Sequence, residues 1–446
     1  MAMNSKGLLE FGTEVFHSLG RGSFFIDGPI FSKLKYFVTC HHQNIEYILK
    51  TNFSNFPTAA DSDAWKVQRR IAHTSFTASE FKDLLSNMSS KVVEEKLLPL
   101  LAHVAENEST IDLQEVCSRF AFDINMNAVF GVHENYLSTE LPSKDLAEAT
   151  AKVQEAILYR HIMPMFLWKL MRLFNIGWER ETTKAFKIID AQLYHLISQK
   201  RKHLLQGIKS FDLFNNISSL PNKNDEKFLR DSMLSLFFAG KDAIASGLIW
   251  FFWLVLSTPA VETKILEELK LLFSSKKRQL LETHEWPYVF DARDLGRLVY
   301  LHAAICESLR LYLAVPLNSI TVLKEVVLPD GNLVTPGVQI IVSNYSVERM
   351  PWIWGEDCLE FKPERWIDDD GLLIRHENMS KFVTFNLGPR TCLGKDMAFT
   401  QIKAVVTTVL FNFEVEVLEG QYIFPKPAIT LHMEKGLNVK LQKRVI

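Results

Sequence analysis

The sequence predicts a mostly α fold with small β-sheets. Apolar residues recur at helical spacing through most of the chain, while strand-like alternation is confined to a few short runs. Those runs cluster near position 40 and in the C-terminal half, rather than taking turns with helices as a doubly wound sheet requires.

In chain order, helical periodicity marks 43–51, 62–75, 78–104, 112–130, 145–160, 180–205, 226–257, 259–274, 297–311 and 395–411. Strand signals lie at 36–40, 320–328, 338–342, 412–418 and 437–442, and Pro329-Asp330-Gly331-Asn332 is a hairpin turn signal. No repeat is visible. The most apolar run, Gly247 to Leu256, is too short to span a bilayer and reads as a buried core helix. Met163–Phe174 mixes apolar and basic residues. It reads either as a segment resting on a membrane surface or as a buried helix whose cations snorkel outward. Asn222–Lys227 reads as a solvated loop, and Met1–Asn4 carries no signal-peptide pattern.

With 446 residues, the chain exceeds the size at which one core usually stops growing, and length alone suggests two or three domains. Hydrophobic residues make up 47% and Phe occurs 32 times, in keeping with a large apolar interior or pocket. A net charge of -2 argues against a nucleic-acid partner. Cys40, Cys117, Cys306, Cys358 and Cys392 are odd in number, far apart and free of Cys-x-x-Cys spacing, so neither a disulfide framework nor a zinc site is indicated.

The chemistry concentrates in Phe385-Asn386-Leu387-Gly388-Pro389-Arg390-Thr391-Cys392-Leu393-Gly394. Cys392 is held between two glycines just before a helix, where the positive end of the helix dipole favours a thiolate. Gly388 allows a tight turn where a side chain would block a flat ligand. Gly394 opens the helix, and Arg390 can pair with a cofactor carboxylate. The pattern suits a thiolate bound to iron; the alternative is a structural cysteine beside a turn. Glu307-Ser308-Leu309-Arg310 sets an acid and an arginine one helical turn apart, a pattern also common in surface ion pairs. Pro363-Glu364-Arg365-Trp366 adds another arginine, and Ala239-Gly240-Lys241-Asp242 sits within the longest helical segment.

In this order the motifs resemble the cytochrome P450 superfamily over nearly the whole chain. The resemblance implies a single catalytic domain over 1–446, with haem b between the long central helix and the cysteine-loop helix. It implies Cys392 as the metal ligand, a buried triad of Glu307, Arg310 and Arg365, and propionate contacts from Trp65, Arg69 and Arg390. Phe385, Gly388 and Gly394 complete the cofactor loop. Phe237, Phe238, Ala243, Leu313, Ala314, Leu317 and Ile429 are implied as pocket residues. Implied partners are O2, NADPH-cytochrome P450 reductase, a small apolar or phenolic substrate, and the endoplasmic reticulum membrane, with the domain on its cytosolic face. The anchor would lie outside this chain, and the protein is expected to be a monomer.

Lys362–Trp366, Phe385–Gln401 and Ala428–Met433 are similar to the plant fatty-acid ω-hydroxylase clade. Within it they resemble the wax-alkane hydroxylases and an Amaryllis-type branch that couples phenol rings in alkaloid synthesis. The leading expectation is para-para′ coupling of a methylated norbelladine to a noroxomaritidine-type dienone. The alternatives are mid-chain or ω hydroxylation of alkanes or fatty acids, and a reductase-independent hydroperoxide isomerase or dehydratase, against which the unaltered cysteine loop counts.

The chain departs from the family's pattern at three places. Ala243 follows the helix acid Asp242 where the family usually has a threonine whose alcohol helps deliver protons. A water, Ser246, or the hydroxyl of a phenolic substrate are the candidate replacements. Leu313 and Ala314 stand where the family tends to have two prolines. The link between Pro57 and Trp65 is shorter than in relatives.

Overall fold

The computed structural model describes residues 7–27, 35–58, 63–206, 212–218, 225–280, 286–374, 381–426 and 428–445. Met1–Asn4, the middle of the Pro57–Trp65 link at 59–62, and 222–224 of the polar stretch lie outside the described residues. The architecture is mostly helical with small sheets, as expected. The central helix, Glu226–Leu256, is capped by Asp225, whose side chain accepts from the Phe228 N–H at 3.0 Å. Its second half is buried all round, from Ile244 to Phe252. By length and composition this helix could cross a bilayer, yet most of its apolar window is buried inside the protein. Leu113–Phe130 packs along it, and Val299–Leu311 and Lys395–Asn412 lie against its other flanks.

A four-stranded sheet runs in the order Ser23–Asp27, Lys35–Thr39, Val338–Ser343, Leu317–Thr321. Its inner pair is parallel, with Phe37 opposite Ile340. A second sheet joins Thr110–Asp112, Asn438–Lys443 and Phe413–Val417.

Several boundaries differ from the sequence reading, each for a local reason. The continuous helix expected over 78–104 is interrupted by a wide π turn at Val93–Leu97. Pro99 has no N–H to give to the carbonyl four residues back, so the helix register shifts there. The strand expected over 320–328 ends at Thr321. Its chain then bonds Asn55 and Pro57 instead, through Thr321 N–H to Pro57 O at 2.9 Å and Leu323 N–H to Asn55 O at 3.0 Å. Val326–Val327 forms a separate hairpin with Leu333–Val334 around Gly331, whose φ is 86°. The Leu8–Leu19 helix, whose apolar residues do recur at helical spacing, and the Ser23–Asp27 strand were missed in the sequence reading. Of the two readings of Met163–Phe174, burial fails. Met165–Leu173 is a helix with no buried residue, and Phe166 and Leu173 are largely exposed.

Candidate active site

The cysteine loop is closed by backbone hydrogen bonds. Cys392 N–H donates to Phe385 O at 2.7 Å, and Thr391 N–H donates to Gly388 O at 3.0 Å. Gly388 has φ 59°, and a methyl group there would sit 2.7 Å from Leu49 O and 3.0 Å from Lys50 Cα. Glycine is therefore required by the close approach of the Tyr47–Thr51 backbone, rather than by room for a flat ligand. Gly394 is the N-cap of Lys395–Asn412, and a methyl group on it would meet nothing nearer than Cys392 Sγ, at 3.9 Å. Phe385 is half-buried against Phe382 and Phe399.

Cys392 is exposed, while Cys40, Cys117, Cys306 and Cys358 are buried. Its sulfur opens to solvent from a recess enclosed by protein on most sides. That enclosure pushes the thiol up, and the Gly394 N–H, Arg69 and Lys395 only partly offset it. The helix dipole alone thus does not win the thiolate expected from the sequence; a coordinated metal ion would.

Trp65 and Arg69 share one face of the Asp63–Thr77 helix, with the Arg69 guanidinium 5.5 Å from the indole centre. Arg69 Nη2 donates to Thr391 O at 2.5 Å, beside Cys392. Both line an open cavity of about 370 Å³ with Phe53, Lys66, Arg70, His73 and Pro389. Arg390 is buried. It donates to Phe56 O at 2.6 Å and lies 4.2 Å over the Phe53 ring. Phe53 and Pro389 were not singled out from the sequence, because neither carries chemistry of its own.

Glu307, Arg310 and Arg365 come together in the interior. Arg310 Nε lies 2.8 Å from Glu307 Oε2, and Arg365 Nε lies 3.3 Å from Glu307 Oε1. The Trp366 indole also donates to Glu307 Oε2, at 2.8 Å, and so saturates the carboxylate. Arg310 additionally donates to Cys358 O at 2.8 Å, and Arg365 to Trp354 O at 2.8 Å. This cluster fastens the Val299–Leu311 helix to the segment that leads into the cysteine loop.

On the central helix, Ser235 and Ala239 are exposed and Ala243 is half-buried. The three are four residues apart and share one face, so the helix is open along that face, leaving a gap, just before the stretch from Ile244 that is sunk in the core. Asp242, beside them, is buried. Lys241 Nζ reaches its Oδ1 at 2.5 Å and the Gln154 amide donates to its Oδ2. Gln154 had no sequence signal, whereas Lys241 is the neighbour of Asp242 in the Ala239-Gly240-Lys241-Asp242 motif. Ser246 does not replace the alcohol absent from position 243. It is fully buried, and its hydroxyl donates to Leu431 O at 2.6 Å.

The expected pocket residues divide. Phe237 is 1% exposed and packs edge-on against Phe122, and Leu313 is fully buried. Both are core rather than open lining, because their side chains fill the interior behind the gap. Phe238, Ala243, Ala314 and Ile429 are partly accessible and Leu317 is exposed.

A family model described as Cytochrome P450 matches residues 30–440. The chain is 35% identical over 441 residues to noroxomaritidine synthase of Narcissus aff. pseudonarcissus MK-2014, covering 95% of this chain and 85% of that one. It is also 35% identical over 450 residues to the alkane hydroxylase MAH1 of Arabidopsis thaliana, covering 95% and 87%. Cytochrome P450 86B1 of Arabidopsis thaliana is similar at 35% over 453 residues, covering 96% and 81%. The cofactor of the matched family is haem b. The residues present fit it: one accessible sulfur, a glycine that leaves space beside it, an opened face of small residues on a buried helix, and a cation-lined recess for carboxylates.

Proposed function

Because this chain belongs to the cytochrome P450 family, we propose that it is a single catalytic domain over 1–446 that couples two phenol rings within one alkaloid precursor. As a member of that family it is an oxidoreductase of the monooxygenase type. Bound haem supplies the one-electron oxidising power that side chains lack. Cys392 would hold its iron. Arg69, Trp65 and Arg390 would meet its carboxylates, and the Glu307–Arg310–Arg365 cluster would keep the loop in place. Phe238, Ala243, Ala314, Leu317 and Ile429 would line the substrate space.

The substrate in this reading is a methylated norbelladine. Each phenol loses one hydrogen atom and the rings join para to para′ as a noroxomaritidine-type dienone with no oxygen inserted; O2 is the acceptor and leaves as two waters, taking the two substrate hydrogens together with two electrons and two protons supplied through NADPH. Electrons would come from NADPH-cytochrome P450 reductase, with a monomer acting at the cytosolic face of the endoplasmic reticulum membrane.

One observation carries the choice of a phenol. The central helix offers no uncommitted hydroxyl next to Ala243: position 243 is alanine, the Ser246 hydroxyl donates to Leu431 O, and the Ser235 hydroxyl, two turns away on the same face, donates to Asp231 O at 2.8 Å. Asp242 is likewise held between Lys241 and Gln154. A phenol brings its own exchangeable proton to this place, whereas an alkane does not. The alkane hydroxylase among the relatives keeps hydroxylation of alkanes or fatty acids as the competing reading.

Spectral titration with a methylated norbelladine and with lauric acid separates the two. Tight binding of the phenol and its conversion to a dienone are expected. The Ala243→Thr variant should leave product formed per NADPH nearly unchanged with the phenol. A large gain for every substrate would defeat the idea that the phenol supplies the missing hydroxyl.

A further inference from the structure

The segment Tyr312–Pro316 leaves the Val299–Leu311 helix without a proline at 313 or 314. It is nevertheless held in a closed ring of contacts. Trp250 of the central helix, 1% exposed, stacks on Tyr312 with ring centres 4.0 Å apart and planes 3° from parallel. The same indole donates from Nε1 to Leu431 O at 2.9 Å. Ser246, one turn earlier, donates to that carbonyl at 2.6 Å. The ring closes when Leu431 N–H donates to Ala314 O at 2.9 Å. The outer side of the segment is tied as well, by Tyr345 N–H to Pro316 O at 3.0 Å and by Arg349, whose guanidinium lies 5.2 Å over Tyr312.

We propose that Trp250, assisted by Ser246, is the positioning residue of the substrate space. It locks the Tyr312–Pro316 segment and the Ile429–Leu431 turn to the central helix as one unit, and it replaces the stiffness that prolines at 313 and 314 would provide. A proline fixes one backbone angle from within; the Trp250 ring fixes the same segment from outside, through a stack and a shared carbonyl. The consequence is that Ala243, Ala314 and Ile429 keep fixed mutual positions. This holds for a phenolic or an aliphatic substrate and so does not depend on the reading above.

The test is amide hydrogen exchange on the haem-loaded protein, with ligand selectivity as a second readout. Trp250→Phe keeps a ring over Tyr312 but removes the N–H, and Trp250→Phe with Ser246→Ala removes both donors to Leu431 O. In the double variant, exchange in 312–317 and 428–433 should rise at least tenfold while the Val299–Leu311 helix is unchanged. The ratio of spectral dissociation constants for lauric acid and a methylated norbelladine should shift at least threefold. Adding Ala314→Pro should reverse both effects. Ser246→Ala alone should give a smaller rise in the same two segments, which keeps the test available if the double variant does not retain haem. A uniform rise or no rise in exchange with an unmoved ratio, or failure of Ala314→Pro to restore the segment, would overturn the proposal.

Discussion

Arg310 Nε and Glu307 Oε2 lie 2.8 Å apart, one helical turn from each other, and neither side chain is exposed to solvent. Burying two charges is favourable only when every remaining hydrogen-bonding position is filled. Here that condition is met: Trp366 and Arg365 complete the carboxylate, and Cys358 O and Glu348 O accept from the guanidinium.

Removing one partner leaves the other as an uncompensated buried charge. Arg310→Leu should cost on the order of 3–5 kcal/mol and abolish stable haem incorporation. Thermal unfolding and the carbon monoxide difference spectrum check this. Near-normal melting with a full thiolate-type spectrum would show that the cluster does not hold the loop.

Gly388 gives a second prediction, from backbone geometry alone. Alanine there meets a strained positive φ and a carbonyl 2.7 Å away that belongs to backbone and cannot swing aside. Gly388→Ala should destabilise by about 1–3 kcal/mol. Gly394→Ala, with open space around it, should alter melting by much less while perturbing the haem spectrum more. The comparison is a pair of melting curves with their absorbance spectra.

These two sites also show what the sequence could reveal. The cysteine loop and the Glu307–Arg310 spacing were legible because each is local: fixed residue types at fixed offsets on a turn or helix face. The role of Gly388 was misread because its constraint comes from Leu49, more than three hundred residues away in the chain. The same applies to Gln154 at Asp242, to the tie between Ser246 and Leu431, and to Phe237, whose apolar side chain fits a pocket wall and a core equally well. The long helices were clear from their period. The π turn at Val93–Leu97 had its cause in plain view at Pro99, but a periodic apolar pattern ran straight across it.

Glu348 is fully buried, and the Val383 N–H donates to one of its oxygens at 2.7 Å. The other oxygen has no hydrogen-bond partner among the described residues. Burial pushes this carboxyl well above the usual carboxylate range, against the pull of the Val383 N–H and Arg310. The folded protein therefore keeps a proton that the unfolded chain releases above its ordinary value of about 4.5. Stability is lost as pH rises from there towards the folded value. Glu348→Gln removes that loss. It should stabilise the protein at pH near 8, with the gain fading towards pH near 4.5. Denaturant titration across that range checks it; a gain independent of pH would mean that the carboxyl is already paired.

Lys403 reports the opposite sign. Its amine, on the Lys395–Asn412 helix, donates to Leu295 O at 2.8 Å and Leu298 O at 3.2 Å. Burial pulls it from 10.5 down to about 8, opposed by Glu268 and Cys306. Between these values the unfolded chain holds a proton that the folded protein has released, so stability contributed by this group rises with pH across that window. The difference in unfolding free energy between the unmodified protein and Lys403→Met should therefore climb by about 1.4 kcal/mol for each pH unit from about 8 to about 10. Below pH 8 it should be flat, because both states carry the proton and the cost of burying the charged amine, offset by the two carbonyl hydrogen bonds, no longer varies with pH. A flat difference across the whole range would place Lys403 in water rather than in the interior, and would undo the packing assigned to the cysteine-loop helix at Leu295 and Leu298.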